Sequence, residues 1–246
     1  MAARLIGLSV SAWTEKARWA LDHHRLEYTY EQYVPLIGAP LLRLQMKRFT
    51  GKVTVPVLFA EDGQVFDDSL AIAHYADSIG TRSPLFMSHQ VEDWNAKSEA
   101  ALVAARGLGM KKMSVSEGAK REQVPAFVPD GLRAAALPAA SLGVSYIVRK
   151  YGLDREPAAT FEAALREILL GLRAGLRGKD YLLGDFSYAD ITMAVTIQFI
   201  KPVSVQYMNV APHTRECFTQ PALAEEFADL VQWRDALYVS QRHPVS

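Results

Sequence analysis

Apolar and polar positions fall into short strand-like blocks over the first eighty residues and then give way to helical periodicity. Residues 5–10 (LIGLSV) form a short apolar run that predicts a buried strand. Residues 12–26 are rich in Ala, Leu, Lys, Arg and Glu and lack Gly and Pro, which predicts a helix with Ser11 at its N-cap or one residue before. Residues 28–34 are dense in strand formers and stop at Pro35. Strand, helix, strand predicts a parallel pair joined by a crossover. Residues 40–49 read as a short basic helix or irregular arm carrying Arg43, Lys47 and Arg48. The apolar run at 57–59, turn residues at 61–63 and Val65-Phe66 predict a hairpin. Asp67, Asp68 and Ser69 then offer N-cap side chains to a helix over 70–77.

Residues 80–84 (GTRSP) supply the best linker, and no strand is predicted beyond them. A helix is expected over 89–107, whereas 107–131, with its glycines, Pro125 and Pro129, reads as too broken for one helix. Helical character resumes at 132–151, interrupted by Pro138 and Gly143. Residues 158–177 form an amphipathic helix with Phe161, Leu165, Ile168, Leu169 and Leu172 on one side and Pro157 in its first turn. Ser187 and Asp190 make a capping box, with Asp in place of the usual Glu or Gln, and Phe186 and Ile191 make its hydrophobic staple ahead of a buried helix at 191–199.

Composition narrows the function. Half of the 246 residues are hydrophobic, so a real core is available. Zero formal net charge argues against nucleic-acid or anionic-membrane partners. One cysteine, Cys217, excludes an internal disulfide and a thiolate-rich metal site, and it reads as a buried bystander thiol. His23 and His24 project about 100° apart on a helix and cannot share a metal. His74, His89, His213 and His243 show no ligand spacing, so no metal is expected. Trp94, Tyr146, Trp233 and Tyr238 read as core. Neither a signal peptide nor a membrane span is expected, and the cytosol is the default compartment.

Two local features carry chemistry. Pro56, at the head of an apolar strand, cannot donate to a ladder; with a cis bond, Val55 would present its N–H and C=O outward to an extended peptide. Asp68-Ser69 begins a helix, where backbone N–H groups favour a carboxylate and Asp68 could hold an ammonium. An amino-acid head group carries both charges.

Four stretches, SAWTEKARWAL at 11–21, VPVL at 55–58, DSLAI at 68–72 and YLLGDFSYAD at 181–190, occur in an order and spacing that resemble the cytosolic glutathione transferase superfamily. The resemblance implies an α/β thioredoxin-like N-terminal domain over 1–80, a linker over 81–88 and an all-α C-terminal domain over 89–246 that contributes an electrophile pocket, usually in a homodimer. It implies a cis bond before Pro56. It assigns Asp68 and Ser69 to the γ-glutamyl end of glutathione, Val55 to backbone pairing with the cysteinyl unit, and Lys52, with Arg43, Lys47 or Arg48, to the glycyl carboxylate. Ser11 takes the position of the activating residue in serine- and cysteine-type members. Here Ser-Ala-Trp replaces the Ser-Pro-Phe or Cys-Pro-Phe of many relatives, leaving Ser9 and Thr14 as alternative hydroxyls.

A serine there suits the chemistry, because a hydroxyl donating to sulfur at a positive helix end favours the attacking thiolate. The absence of cysteine at position 11 argues against mixed-disulfide reduction. The expected function is a glutathione transferase acting on a small apolar electrophile. The competing expectations are a non-catalytic glutathione- or ligand-binding protein on the same fold and a glutathione-dependent dehalogenase or ether-cleaving enzyme. Met110, Met113, Val124, Phe127 and Val128 are candidates for shaping the electrophile pocket.

Overall fold

The computed structural model describes residues 2–34, 38–125 and 128–242. Pro35, Phe127 and His243, named above, lie outside the described residues. The chain opens with strand β1 (Arg4–Gly7), helix α1 (Ala12–His23) and strand β2 (Thr29–Gln32). β1 and β2 pair in parallel from Arg4↔Thr29 to Gly7↔Gln32, which makes α1 the crossover. β1 ends short of the apolar run that predicts it, because the chain turns there: the Ser11 N–H donates to the Leu8 carbonyl at 2.9 Å. Helix α2 (Gly38–Gln45) is followed by the hairpin β3 (Val57–Phe59) and β4 (Val65–Phe66), then by helix α3 (Ser69–Ile79). β3 runs antiparallel to both β1 and β4, giving the order β2-β1-β3-β4.

Strand alternation splits the apolar residues between the two faces of the sheet. Leu5 and Leu58 join the main core with Ala17, Trp19 and Ile72. Ile6 and Val57 join a smaller cluster with Leu42 of α2 and with Val53.

Among the described residues the rest is helical: α4 (Gln90–Val115), α5 (Glu117–Glu122), α6 (Asp130–Lys150), α7 (Ala158–Leu176), α8 (Tyr188–Ile197), α9 (Pro212–Cys217), α10 (Pro221–Glu226) and α11 (Ala228–Gln241). Two expectations from sequence are corrected here. α4 does not break at Gly107 but runs on to Val115. Its glycines serve packing rather than interruption: a Cβ on Gly107 would lie 2.6 Å from the Phe161 ring, and one on Gly109 would lie 2.4 Å from the Phe218 ring. α6 likewise runs through Pro138 and Gly143. Pro138 is exposed, so the carbonyl that loses its helix donor is open to water. Gly107→Ala is therefore expected to lower stability by about 1–3 kcal/mol through overpacking, against the usual helix gain of about 1 kcal/mol. An unchanged urea midpoint would show that Phe161 moves aside freely.

Met110, Met113 and Val124 are buried, and α5 packs against α6 and α9. Cys217 is buried as expected. α6 is the exception to good burial. Among the described residues it is the one helix long and apolar enough by length and composition to cross a bilayer, and little of it is buried. Tyr146 on α6 is 47% exposed rather than core.

α8 is buried at every position and depends on its N-terminus. Asp190 Oδ1 accepts from the Leu182 N–H at 2.8 Å, and Oδ2 accepts from the Ser187 N–H at 2.9 Å and its hydroxyl at 3.0 Å. The predicted capping box is present. At the other end of the chain, α11 returns to α1. Arg242 Nε lies 2.9 Å from Glu15, its Nη1 lies 2.6 Å from Asp22, and the Trp19 indole donates to the Gln241 carbonyl at 3.2 Å.

Candidate functional site at the end of the first strand

Strand register brings the sequence candidates to one place. Ile6 faces Val57 across β1 and β3, and Leu58 faces Phe66 across β3 and β4. Because both pairings are antiparallel, β3 begins at the end of the sheet where β1 and β4 finish, so Val55 and Pro56 lead in where Leu8 and Asp68 lead out. Ser11 is one turn beyond Leu8, bound back to it through its own N–H. Ser11, Val55, Pro56, Asp68 and Ser69 thus gather where β1 ends and where α1 and α3 begin, a position that favours ligand binding in open α/β sheets. The Val55–Pro56 bond is cis.

Ser11 caps α1 in extended conformation with φ −88° and ψ 127°, but its hydroxyl makes no cap hydrogen bond. It is half-buried, and the first N–H groups of α1 surround it. The alternative hydroxyls differ in kind. Thr14 is 1% exposed, its Oγ1 accepts from the Leu8 N–H at 3.1 Å, and its side chain fills the space over Gly7. Its oxygen is thus engaged by the turn after β1, whereas that of Ser11 takes no part in the helix cap. Ser9 is exposed on the turn.

Asp68 caps α3 with one oxygen: Oδ1 accepts from the Leu70 N–H at 2.8 Å and from the Ala71 N–H at 3.2 Å. Its second oxygen has no part in that cap. Ser69 is buried, and the Tyr188 hydroxyl of α8 donates to its carbonyl at 3.3 Å. Lys52 is exposed in the loop between α2 and β3. Two of its basic neighbours are engaged: Arg43 donates to the Gly51 carbonyl at 2.6 Å, and Arg48 pairs with Asp67.

Beneath these groups lies a charged tie that the sequence does not announce. Glu99 of α4 accepts from the Trp13 indole at 2.6 Å through one oxygen and pairs with Lys16 at 2.7 Å through the other. Lys16 also reaches the Asn95 side-chain oxygen at 3.4 Å. Burial pulls the Lys16 ammonium below its ordinary value, opposed by Glu99 and, more weakly, by Asp68. The same helix carries Arg106 two turns on, with its guanidinium 4.9 Å from the Trp13 ring centre and 3.8 Å from that of Tyr151. Burial raises Tyr33, which follows β2 at this end of the sheet, and Tyr146, Tyr151 and Arg43 stand within electrostatic reach of it. Trp13 and Tyr33, from the sheet-bearing part of the chain, are thus brought near Arg106, Tyr146 and Tyr151 of the helical part.

None of Lys16, Glu99, Arg106 or Tyr151 was a sequence candidate. The one available signal was the tryptophan at position 13, which departs from the phenylalanine of many relatives and supplies an indole N–H that needs an acceptor.

Residues 10–79 match the family model for the glutathione S-transferase N-terminal domain. A glutathione S-transferase from Methylobacillus flagellatus KT, crystallised with glutathione bound, is similar at 15% identity over 99% of this chain and 100% of that one, with a TM-score of 0.60. A possible glutathione S-transferase from Rhodopseudomonas palustris is 15% identical over 100% and 98%, with a TM-score of 0.62. A glutathione transferase from Phanerochaete chrysosporium is 16% identical over 100% and 99%, with a TM-score of 0.61. No functionally curated protein matches the chain by sequence. The chain has the glutathione S-transferase fold, a small mixed sheet followed by a largely helical remainder, with that family's N-terminal domain at residues 10–79.

Proposed function

We propose that the protein is a glutathione transferase in which Ser11 holds the glutathione sulfur as a thiolate for attack on an apolar electrophile. The observation that carries this reading is a half-buried serine hydroxyl, unused by the helix it caps, beside a cis-Pro56 turn and the Asp68-Ser69 helix start. The structural relatives crystallised with glutathione support it. The second oxygen of Asp68 would take the γ-glutamyl ammonium, and the α3 N-terminus at Ser69 would take its carboxylate. Val55 would pair through its backbone with the cysteinyl unit. Lys52 would meet the glycyl carboxylate, since Arg43 and Arg48 already have partners.

The thiolate then forms a carbon–sulfur bond to the electrophile, and the leaving group departs with the pair from the bond that breaks. A free thiol titrates near 8.5, so the neutral form dominates at pH 7. One charge-assisted hydrogen bond of about 1.5–3 kcal/mol and a helix-end contribution of about 0.3–1 kcal/mol together lower the bound thiol by about 1–3 pH units.

Ultraviolet difference titration of bound glutathione tests the reading. Ser11→Ala should raise the bound thiol pKa by about 1–2 units and lower kcat/KM near neutral pH by about 10–100-fold. Saturable binding without a thiolate signal in the wild type would give the site to ligand binding instead.

A further inference from the structure

Between α11 and the segment that follows α8 lies a cavity of about 240 Å³, lined by none of the residues gathered around Ser11. Val203, Tyr207, Arg234 and Tyr238 are the buried part of its lining, and Lys201 and Asp235 stand exposed at its edge. Arg234 is 1% exposed, and its donors are unevenly met. Nε pairs with Asp235 at 2.7 Å and Nη1 donates to the Lys201 carbonyl at 2.8 Å, whereas Nη2 has no hydrogen-bond partner among the described residues. Withdrawing a guanidinium from water is costly unless its donors find acceptors. Burial accordingly holds Arg234 below its ordinary value; Asp235 opposes this, and the neighbouring Arg215 adds to it. Arg215 is itself spent on the Pro202 and Val203 carbonyls, at 3.0 and 2.7 Å. Lys201 has no ion-pair partner among the described residues. Three cations thus stand around one carboxylate, while the rest of the buried lining is apolar or aromatic, with the Tyr207 and Tyr238 rings 5.0 Å apart.

We infer that this cavity is a second binding site, separate from the one at Ser11, for a small organic carboxylate whose charge is met by Arg234 and Lys201 and whose apolar part lies on Val203, Tyr207 and Tyr238. A carboxylate supplies the acceptor that Nη2 lacks, in a charge-assisted bond of the stronger kind. Inorganic phosphate would meet the cations but leave the apolar lining uncovered. The cavity falls just below the roughly 300–1,000 Å³ of pockets for drug-sized ligands, which sets the ligand at about the size of one ring. Tyr238 also packs on Trp19 at 4.5 Å between ring centres, so an occupant would brace the seam between α11 and α1.

The test titrates benzoate, its neutral isostere benzamide and inorganic phosphate into the full-length protein by calorimetry. The wild type should bind benzoate at least about tenfold more tightly than either of the others. Lys201→Met, at an exposed position, should cut the preference for benzoate over benzamide by about threefold or more and leave benzamide within about twofold. Arg234→Gln should abolish that preference, with circular dichroism establishing that the variant is folded. Ser204→Trp, at an exposed position of the lining, should fill the cavity and weaken benzoate and benzamide alike by at least about tenfold; this variant and Lys201→Met decide the matter should the buried change unfold the chain. Equal affinities for benzoate and benzamide, phosphate bound as tightly as benzoate, a preference unchanged in Lys201→Met, affinities unchanged in Ser204→Trp, or no binding of any probe would overturn the proposal. An excess of glutathione should leave the benzoate affinity unchanged; competition between the two would put the acid in the Ser11 site and overturn the second site.

Discussion

Asp190→Ala should destabilise the protein by about 3–5 kcal/mol, because it strips acceptors from three donors at a buried helix start. The Leu182 N–H, the Ser187 N–H and the Ser187 hydroxyl all converge on this carboxylate, and α8 below it is buried along its whole length. Denaturant unfolding gives the number directly; a loss under about 1 kcal/mol would mean that water replaces the carboxylate. The same residue predicts a pH dependence. Burial raises the Asp190 carboxyl to about 6 from its ordinary 3.8, and the donors at Leu182 and Ser187 recover only part of that cost. The folded state therefore binds the proton more tightly than the unfolded state. Stability from this group is fullest below the unfolded value and falls as pH rises from about 4 to about 6. Relative to Asp190→Asn, which does not titrate, wild-type stability should decline by about 3 kcal/mol across that window. A flat difference between pH 4 and 7 would contradict the raised value.

Glu15→Ala is the second large effect. Glu15 and Arg242 are each 4% exposed and pair at 2.9 Å, so removing the acid leaves a buried guanidinium with reduced compensation. A cost of about 3 kcal/mol is expected, at the lower end of the range for a broken buried pair, because Asp22 still holds Arg242 at 2.6 Å. Combining Glu15→Ala with Arg242→Met should cost less than the sum of the two changes, since neither member of the buried pair is then left facing an absent partner, and Asp22, which also loses Arg242, is partly exposed. Strict additivity in a double-mutant cycle would show that the pair is not coupled.

These residues also show what could be read from the chain alone. Ser187 and Asp190 are three apart, Asp68 precedes its helix directly, and Ser11 stands at the start of another. Each is set by local chemistry within one helical turn, and each was legible. The sheet order follows from strand, crossover and hairpin signals of the same short range. The supporting contacts are different. Lys16 meets Glu99 across 83 positions, and Arg242 meets Glu15 across 227. No local propensity encodes those meetings; they follow from how α4 and α11 pack on α1. Gly107 was misread for the same reason, as its signal was a breaker while its purpose was a distant phenylalanine ring. Arg106 is ordinary as a letter and informative only beside Trp13 and Tyr151.

The closure of α11 onto α1 bears on how the chain matures in the cell. Trp19 and Glu15 are made well before their partners Tyr238, Gln241 and Arg242, the indole meeting the Gln241 carbonyl across 222 positions and the acid meeting Arg242 across 227. At ordinary translation speeds of about 5–20 residues per second, that helix face waits about 10–50 seconds with a large indole and an acid uncovered. The sheet can assemble early, but the seam between α1 and α11 forms only once α11 has been made. A nascent chain stalled before residue 238 would be the species most exposed to chaperones and to aggregation.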